Sequence, residues 1–244
     1  MIYINMEKIN KVKIWPLVIL LMMSFGAKAQ NWQHTQDDIK AAVEVDTLKK
    51  KEWTLIWINK DKDFDPEVKN KMIDIFFKTY PKLAKAYNKE THKEVTFIID
   101  PDYEGIAATA GGIIRYNPNW FVKNPEDIDV VTHELMHIVQ SYTGRSGPGW
   151  ITEGIADYVR FIYGIDNESA NWTLPEVREN QSYDNSYRIA ARFFHWIEKN
   201  IKKNFVRALD QAMRTKKYTE DFWEDETGLS VDELWGKYTQ NPKI

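Results

Sequence analysis

Ile128-Asp129-Val130-Val131-Thr132-His133-Glu134-Leu135-Met136-His137-Ile138-Val139-Gln140 is the stretch on which the reading of this chain turns. Ile128, Val131, Leu135, Ile138 and Val139 recur at helical spacing and make one apolar stripe. The spacing predicts a helix buried along that stripe. His133 and His137 stand four positions apart, so both rings rise from one helix face about one turn apart and can reach one ion. Glu134 projects about 100° around the axis from His133. There it sits beside an attacking water rather than on the ion, placed to take the water's proton.

Zinc takes nitrogen, sulfur and carboxylate donors in a tetrahedron, and a reactive site keeps one position for water. A third donor is needed. The extension H-E-x-x-H-x-x-G-x-x-H fails, because Gln140 and Thr143 occupy the Gly and third His positions. Glu153 supplies the other solution. It lies on a second apolar-striped segment (Ile151, Ile155, Tyr158, Val159, Ile162), with Asp157 four residues on. Two carboxylates at i, i+4 repel by a few tenths of a kcal/mol, and a cation removes that cost. The competing reading is a solvated acidic face balanced by Arg160. The expected cofactor is one Zn²⁺ held by His133, His137 and Glu153. Asp157 is expected to accept from the non-ligating nitrogen of His133 and fix its tautomer.

Working outward, residues 52–59, 94–99 and 111–117 read as strands, rich in β-branched and aromatic residues. Residues 37–51 suggest a lead-in helix. Asp65-Pro66 opens a longer helix in which Pro81 marks a break or kink. From Pro125 the pattern is helical, through 186–201 and two or three short helices in 204–238. The fold class is α+β: a sheet-and-helix lobe over about 50–124, then a helical lobe over about 125–244, in one domain from 30 to 244.

Lys8, Lys11 and Lys13, the apolar run 14–25 and Ala27-Lys28-Ala29 make a secretory signal peptide over 1–29. The expected address is outside the cytoplasm, periplasmic or extracellular. Cleavage leaves 244 − 29 = 215 residues with 33 − 4 = 29 basic and 36 − 1 = 35 acidic side chains, net −6. That balance argues against nucleic acid or an anionic membrane as partner. The chain has no Cys, so thiolate ligands, disulfides and a cysteine nucleophile are excluded. The expected state is a monomer acting on a peptide or protein, with no stable membrane association after processing.

Three segments resemble the basic secretory protein family of plants and bacteria: Gly111-Gly112-Ile113-Ile114-Arg115-Tyr116-Asn117, the run from Asp127 to Gln140, and Glu153-Gly154-Ile155-Ala156-Asp157-Tyr158-Val159-Arg160. Ser186-Tyr187-Arg188-Ile189-Ala190-Ala191-Arg192-Phe193-Phe194 resembles that family's aromatic helix. The resemblance implies a zincin-like fold and a secreted zinc metallopeptidase of gluzincin type. It implies a cleft between lobes, lined by the strand before the motif helix, so that Gly112, Ile113, Ile114 and Arg115 pair with substrate backbone. It also implies an oxyanion donor on a later helix, Tyr187 first and Tyr183 second. His195, amid Phe193, Phe194 and Trp196, is read as a packing residue. The "basic" label does not carry over to this acidic chain. Two other readings use the same residues. One is a zinc-stabilised extracellular binding protein without turnover, which has no need of Glu134. The other is a zinc hydrolase of non-peptide amides or esters, such as cell-wall crosslinks.

Overall fold

The computed structural model describes residues 35–244. The expected signal segment lies outside the described residues. Strands β1 (Glu44–Lys50), β2 (Trp53–Asn59), β3 (Glu94–Ile99), β4 (Ala107–Ala110) and β5 (Ile113–Tyr116) form one sheet in the order β1-β2-β3-β5-β4. The β2–β3 and β3–β5 pairs are parallel, and the outer pairs are antiparallel. β3 is buried from Val95 to Ile99, as expected of a parallel strand covered on both faces.

Two elements differ from the sequence expectation. Residues 37–51 divide into a short helix α1 (Gln36–Ala41) and edge strand β1. The outer edge of β2 offers β1 a full ladder of partners from Glu44↔Asn59 to Lys50↔Trp53. That non-local pairing overrides a weak local helical spacing. The second difference is β4, whose Ala-Ala-Thr-Ala sequence has no strand signal of its own. It forms by folding back on β5 through Gly111, which takes a left-handed φ of 60° and so suits a residue without Cβ.

Helix α2 (Pro66–Ala86) starts where Asp65 accepts from the Glu67 amide at 2.7 Å and Pro66 fills the first turn. It runs on through Pro81 as one helix, where the sequence suggested a break or kink. Its buried stripe holds the backbone in place: Phe76 meets Phe97 edge-on at 5.9 Å and Tyr80 meets Trp53 at 5.2 Å. After α3 (Pro118–Lys123) the described residues contain helices and loops only: α4 (Val130–Gln140), α5 (Gly149–Tyr163), α6 (Tyr187–Asn200), α7 (Phe205–Arg214), α8 (Phe222–Thr227) and α9 (Val231–Gln240). Trp150, Phe193, Phe194 and Trp223 stack into the core of this helical half. Among the described residues no helix is long and apolar enough to cross a membrane.

The sheet is tied to α1 by buried charge. Arg115 on β5 forks onto both oxygens of Asp38 at 2.8 Å and also donates to Asp100, which takes Lys60 at 2.7 Å. Burial alone would raise the Asp100 carboxyl; Lys60, the Asp102 amide and Arg115 outweigh it and hold it below its usual range. A depressed folded pKa means stability that is complete above about pH 4 and lost as pH falls through the folded value. Arg115→Ala is therefore expected to cost about 3 kcal/mol at pH 7, since it strands buried carboxylates. Urea titrations across pH would show the gap to the parent protein narrowing below about pH 4.

Candidate metal centre

Ten of the eleven residues of α4 are buried, His133 and Glu134 among them. The helix passes under the free edge of β4 on one side and against α5 on the other. Its His rings meet edge-to-face, centroids 4.8 Å apart. His133 Nε2 and His137 Nε2 are 3.1 Å apart, and Glu153 Oε2 on α5 stands 3.2 and 3.5 Å from them. Donors about 2.0–2.1 Å from a tetrahedral zinc ion are themselves separated by about 3.3 Å. The triangle therefore has the dimensions such an ion requires, and these three residues are the set among the described residues able to hold one.

The outward nitrogens settle the tautomers. Asp157 is an acceptor, so His133 Nδ1–H donates to its Oδ1 at 2.6 Å. The Gln140 amide donates to the Thr152 carbonyl at 2.9 Å, which turns its oxygen to accept from His137 Nδ1–H at 2.8 Å. Both Nε2 lone pairs are left facing the same point. Burial would lower His133, but Asp157 and Glu153 outweigh it and push it up to about 10. Burial would likewise raise Glu153, but the bonds from His133 and His137 hold it well below the usual carboxylate range.

Glu153 reaches the triangle because α5 and α6 touch at Gly154. A Cβ there would sit 2.6 Å from the Ala190 methyl and 2.8 Å from the Phe194 ring. Glu134 is held from across the cleft: the Thr109 hydroxyl on β4 donates to its Oε2 at 2.6 Å. Tyr187 opens α6 with its ring stacked on His133, centroids 6.2 Å apart. It and Ser186 both take positive φ, 46° and 67°, a costly conformation for residues with a Cβ. Glu153 first, then burial, raise the Tyr187 hydroxyl above its usual range.

These groups border a cavity of about 1380 Å³. His133, Glu134, His137, Glu153, Asp157 and Tyr187 all line it. Gly112, Ile113, Ile114 and Arg115 do not, which corrects the expected substrate strand. β5 lies inside the sheet with both edges paired, and Arg115 is buried on Asp38 and Asp100. The free edge along the cavity is β4, one strand earlier. Tyr183 lies away from the cavity, its hydroxyl donating to Asp232 and its ring packed on Trp150. His195 packs against Phe161 at 5.0 Å, and burial lowers its pKa.

Two residues went unread in the sequence. Thr109 carried no signal because β4 carried none. Gln140 did carry one: it stands three residues after His137, on the same helix face, where a polar residue in an apolar stripe needs a partner.

Fold and donor set together define the class, an α+β protein with a His-His-Glu constellation at the mouth of a cleft. The chain belongs to the BSP family, described as a peptidase of plants and bacteria, whose profile matches residues 62–238. Among solved structures it is similar to an M1 zinc metallopeptidase from Deinococcus radiodurans (12% identity, TM-score 0.51), covering 82% of this chain and 52% of that one. It is equally similar to a mutant of that enzyme bound to a Tyr-Ser-Ala substrate (12%, TM-score 0.51, 82% and 53%). A two-domain M1 zinc metallopeptidase mutant bound to L-tryptophan gives 13% identity, TM-score 0.51, and 82% and 52% coverage. The chain thus spans about half the length of these solved structures. A comparison with curated proteins gives no match.

The bridge through Gln140 gives a direct expectation. Gln140→Ala frees the His137 ring and unties α4 from Thr152, and any divalent metal taken up by the triangle should bind about 10–100-fold more weakly. Competition against a chelator of known affinity measures it, and an unchanged constant would refute the bridge.

Proposed function

We propose that this chain is a secreted zinc-dependent peptidase of zincin-like fold that hydrolyses peptide bonds with Glu134 as general base. The observation that carries the reading is the donor triangle of His133, His137 and Glu153, with Glu134 beside it. Membership of a peptidase family supports the reaction class. The likeness to a zinc metallopeptidase bound to a tripeptide supports zinc and a peptide substrate. The N-terminal signal pattern supports export.

A bound zinc ion would polarise the scissile carbonyl and ease ionisation of the attacking water. The rest falls to the chain's own residues. The β4 backbone, unpaired along the cavity, takes an extended peptide as an added strand. Thr109 occupies Oε2 of Glu134 and leaves Oε1 free to accept the water's proton as attack begins. Glu134 then delivers that proton to the leaving amine nitrogen. The Tyr187 hydroxyl donates to the oxyanion of the tetrahedral intermediate. Asp157 and Gln140 hold the two imidazoles so that no reorientation accompanies the step.

Glu134→Gln is expected to keep its zinc and to lose about 10²–10⁴-fold in kcat on a mixed peptide library. If the parent protein and the variant both leave every peptide intact, the binding reading or the non-peptide hydrolase takes over. His137→Ala with an unchanged zinc content would end the metal assignment outright. Tyr187→Phe should cost about 10²-fold in kcat with KM little altered, read from steady-state kinetics.

A further inference from the structure

One part of the cavity wall is a connected cluster. Trp120, Asp127, Arg160, Trp172 and Arg188 all line the cavity and are linked to one another by hydrogen bonds and ring contacts. The Trp172 ring has the Arg160 guanidinium 4.4 Å from its centroid and the Arg188 guanidinium 6.0 Å away. This wall is anchored. The Trp172 amide donates to the Asn167 carbonyl at 2.9 Å, and the Asn167 side chain both accepts from Arg160 and donates to its carbonyl.

The carboxylates and guanidinium groups lining the cavity can be paired off. Asp127 takes Arg160 at 2.5 Å and the Trp120 indole N–H at 2.9 Å. Glu126 takes Lys71 at 3.3 Å. Glu134 is on Thr109, and Glu153 and Asp157 are on the His rings. Arg188 remains. It has no carboxylate within ion-pair distance among the described residues, and its one hydrogen bond there goes to the Thr173 carbonyl at 3.3 Å. Arg188 is exposed at the cavity wall, so the rest of its five N–H donors are open to solvent or to a ligand. Its planar fork is suited to a two-point contact with a carboxylate.

We propose that this part of the cavity is a substrate subsite for a carboxylate group, with Arg188 as its anchor and Trp172 as its wall. The ligand chemistry is a peptide carboxylate, from an acidic side chain or from a free C-terminus. The inference rests on the peptidase reading for the kind of ligand, and on Arg188 for the selectivity. Arg188 follows Tyr187 at the start of α6, and it lines the same cavity as His133, His137 and Glu153.

The test measures binding, so turnover is not needed. Zinc-loaded Glu134→Gln protein is titrated calorimetrically with acetylated octapeptides of Ala and Gly. A single Glu, or Gln in its place, is moved along the sequence, and each peptide is made with a free and an amidated C-terminus. The expected result is one placement at which the carboxylate form binds about tenfold tighter than its neutral counterpart. That preference should vanish in Glu134→Gln/Arg188→Gln and survive in part in Glu134→Gln/Arg188→Lys. Preference at an internal Glu assigns the side chain, and preference only for the free acid assigns the C-terminus. Equal binding of charged and neutral peptides at every placement overturns the proposal, as does a preference that persists without Arg188. Cleavage of the same peptides by protein retaining Glu134 reads the peptidase assignment separately.

Discussion

Three donor atoms from two helices have to meet within about 3.5 Å, and most of what surrounds the site follows from that demand. His133 and His137 share α4 and need only helical geometry to converge. Glu153 comes from α5, so the site exists only if the two helices dock at one register. Asp157 ties α5 to His133, and Gln140 ties α4 to the Thr152 carbonyl, immediately before Glu153. These two bonds are at once orienting contacts for the imidazoles and clamps between the helices. Behind α5, contact at Gly154 lets α6 approach until Ala190 and Phe194 fill the space a side chain would need. The stacked aromatic core of the helical half holds that approach in place.

The sheet positions the other side of the chemistry. Its interior strands are apolar and need little explanation, but its last strand is four small residues with nothing to bury. β4 persists because it hydrogen-bonds to β5 and because Thr109 reaches Glu134. A strand that lies against a cleft with no bulky side chains leaves its backbone accessible. The same lack of side chains that hides β4 from pattern reading suits it to receive another strand. On the far edge, β1 carries Glu44 and Asp46 onto Lys69 of α2, which places charge where an unpaired edge would otherwise invite association.

Strain and charge collect where the proposed chemistry lies. Ser186 and Tyr187 hold positive φ at the head of α6, and the return is a tyrosine ring laid on His133 rather than pointed away from it. Among the described residues the carboxylates lining the cavity all have partners, and of its two arginines Arg160 is on Asp127 while Arg188 meets no carboxylate.

Local pattern carried the α+β class, the motif helix, the following helix and the three residues whose donor atoms converge. These rest on periodicity and on i, i+4 spacing, which are local properties that survive without knowledge of any partner. The sequence also pointed to Tyr187, through a family resemblance. It did not reveal β1, β4, Thr109 or the role of Gln140, and it assigned the cleft to β5. Each of these depends on which strand pairs with which edge, or on what a side chain meets across a helix interface. Val45 and Thr47 look no different in a helix or a strand until the edge of β2 is offered to them. Arg115 reads as a substrate contact or as the partner of surface acids until Asp38, 77 residues away, is found beside it in a buried pair. Only the tertiary structure brings such partners together, because their sequence separation carries no information about their distance.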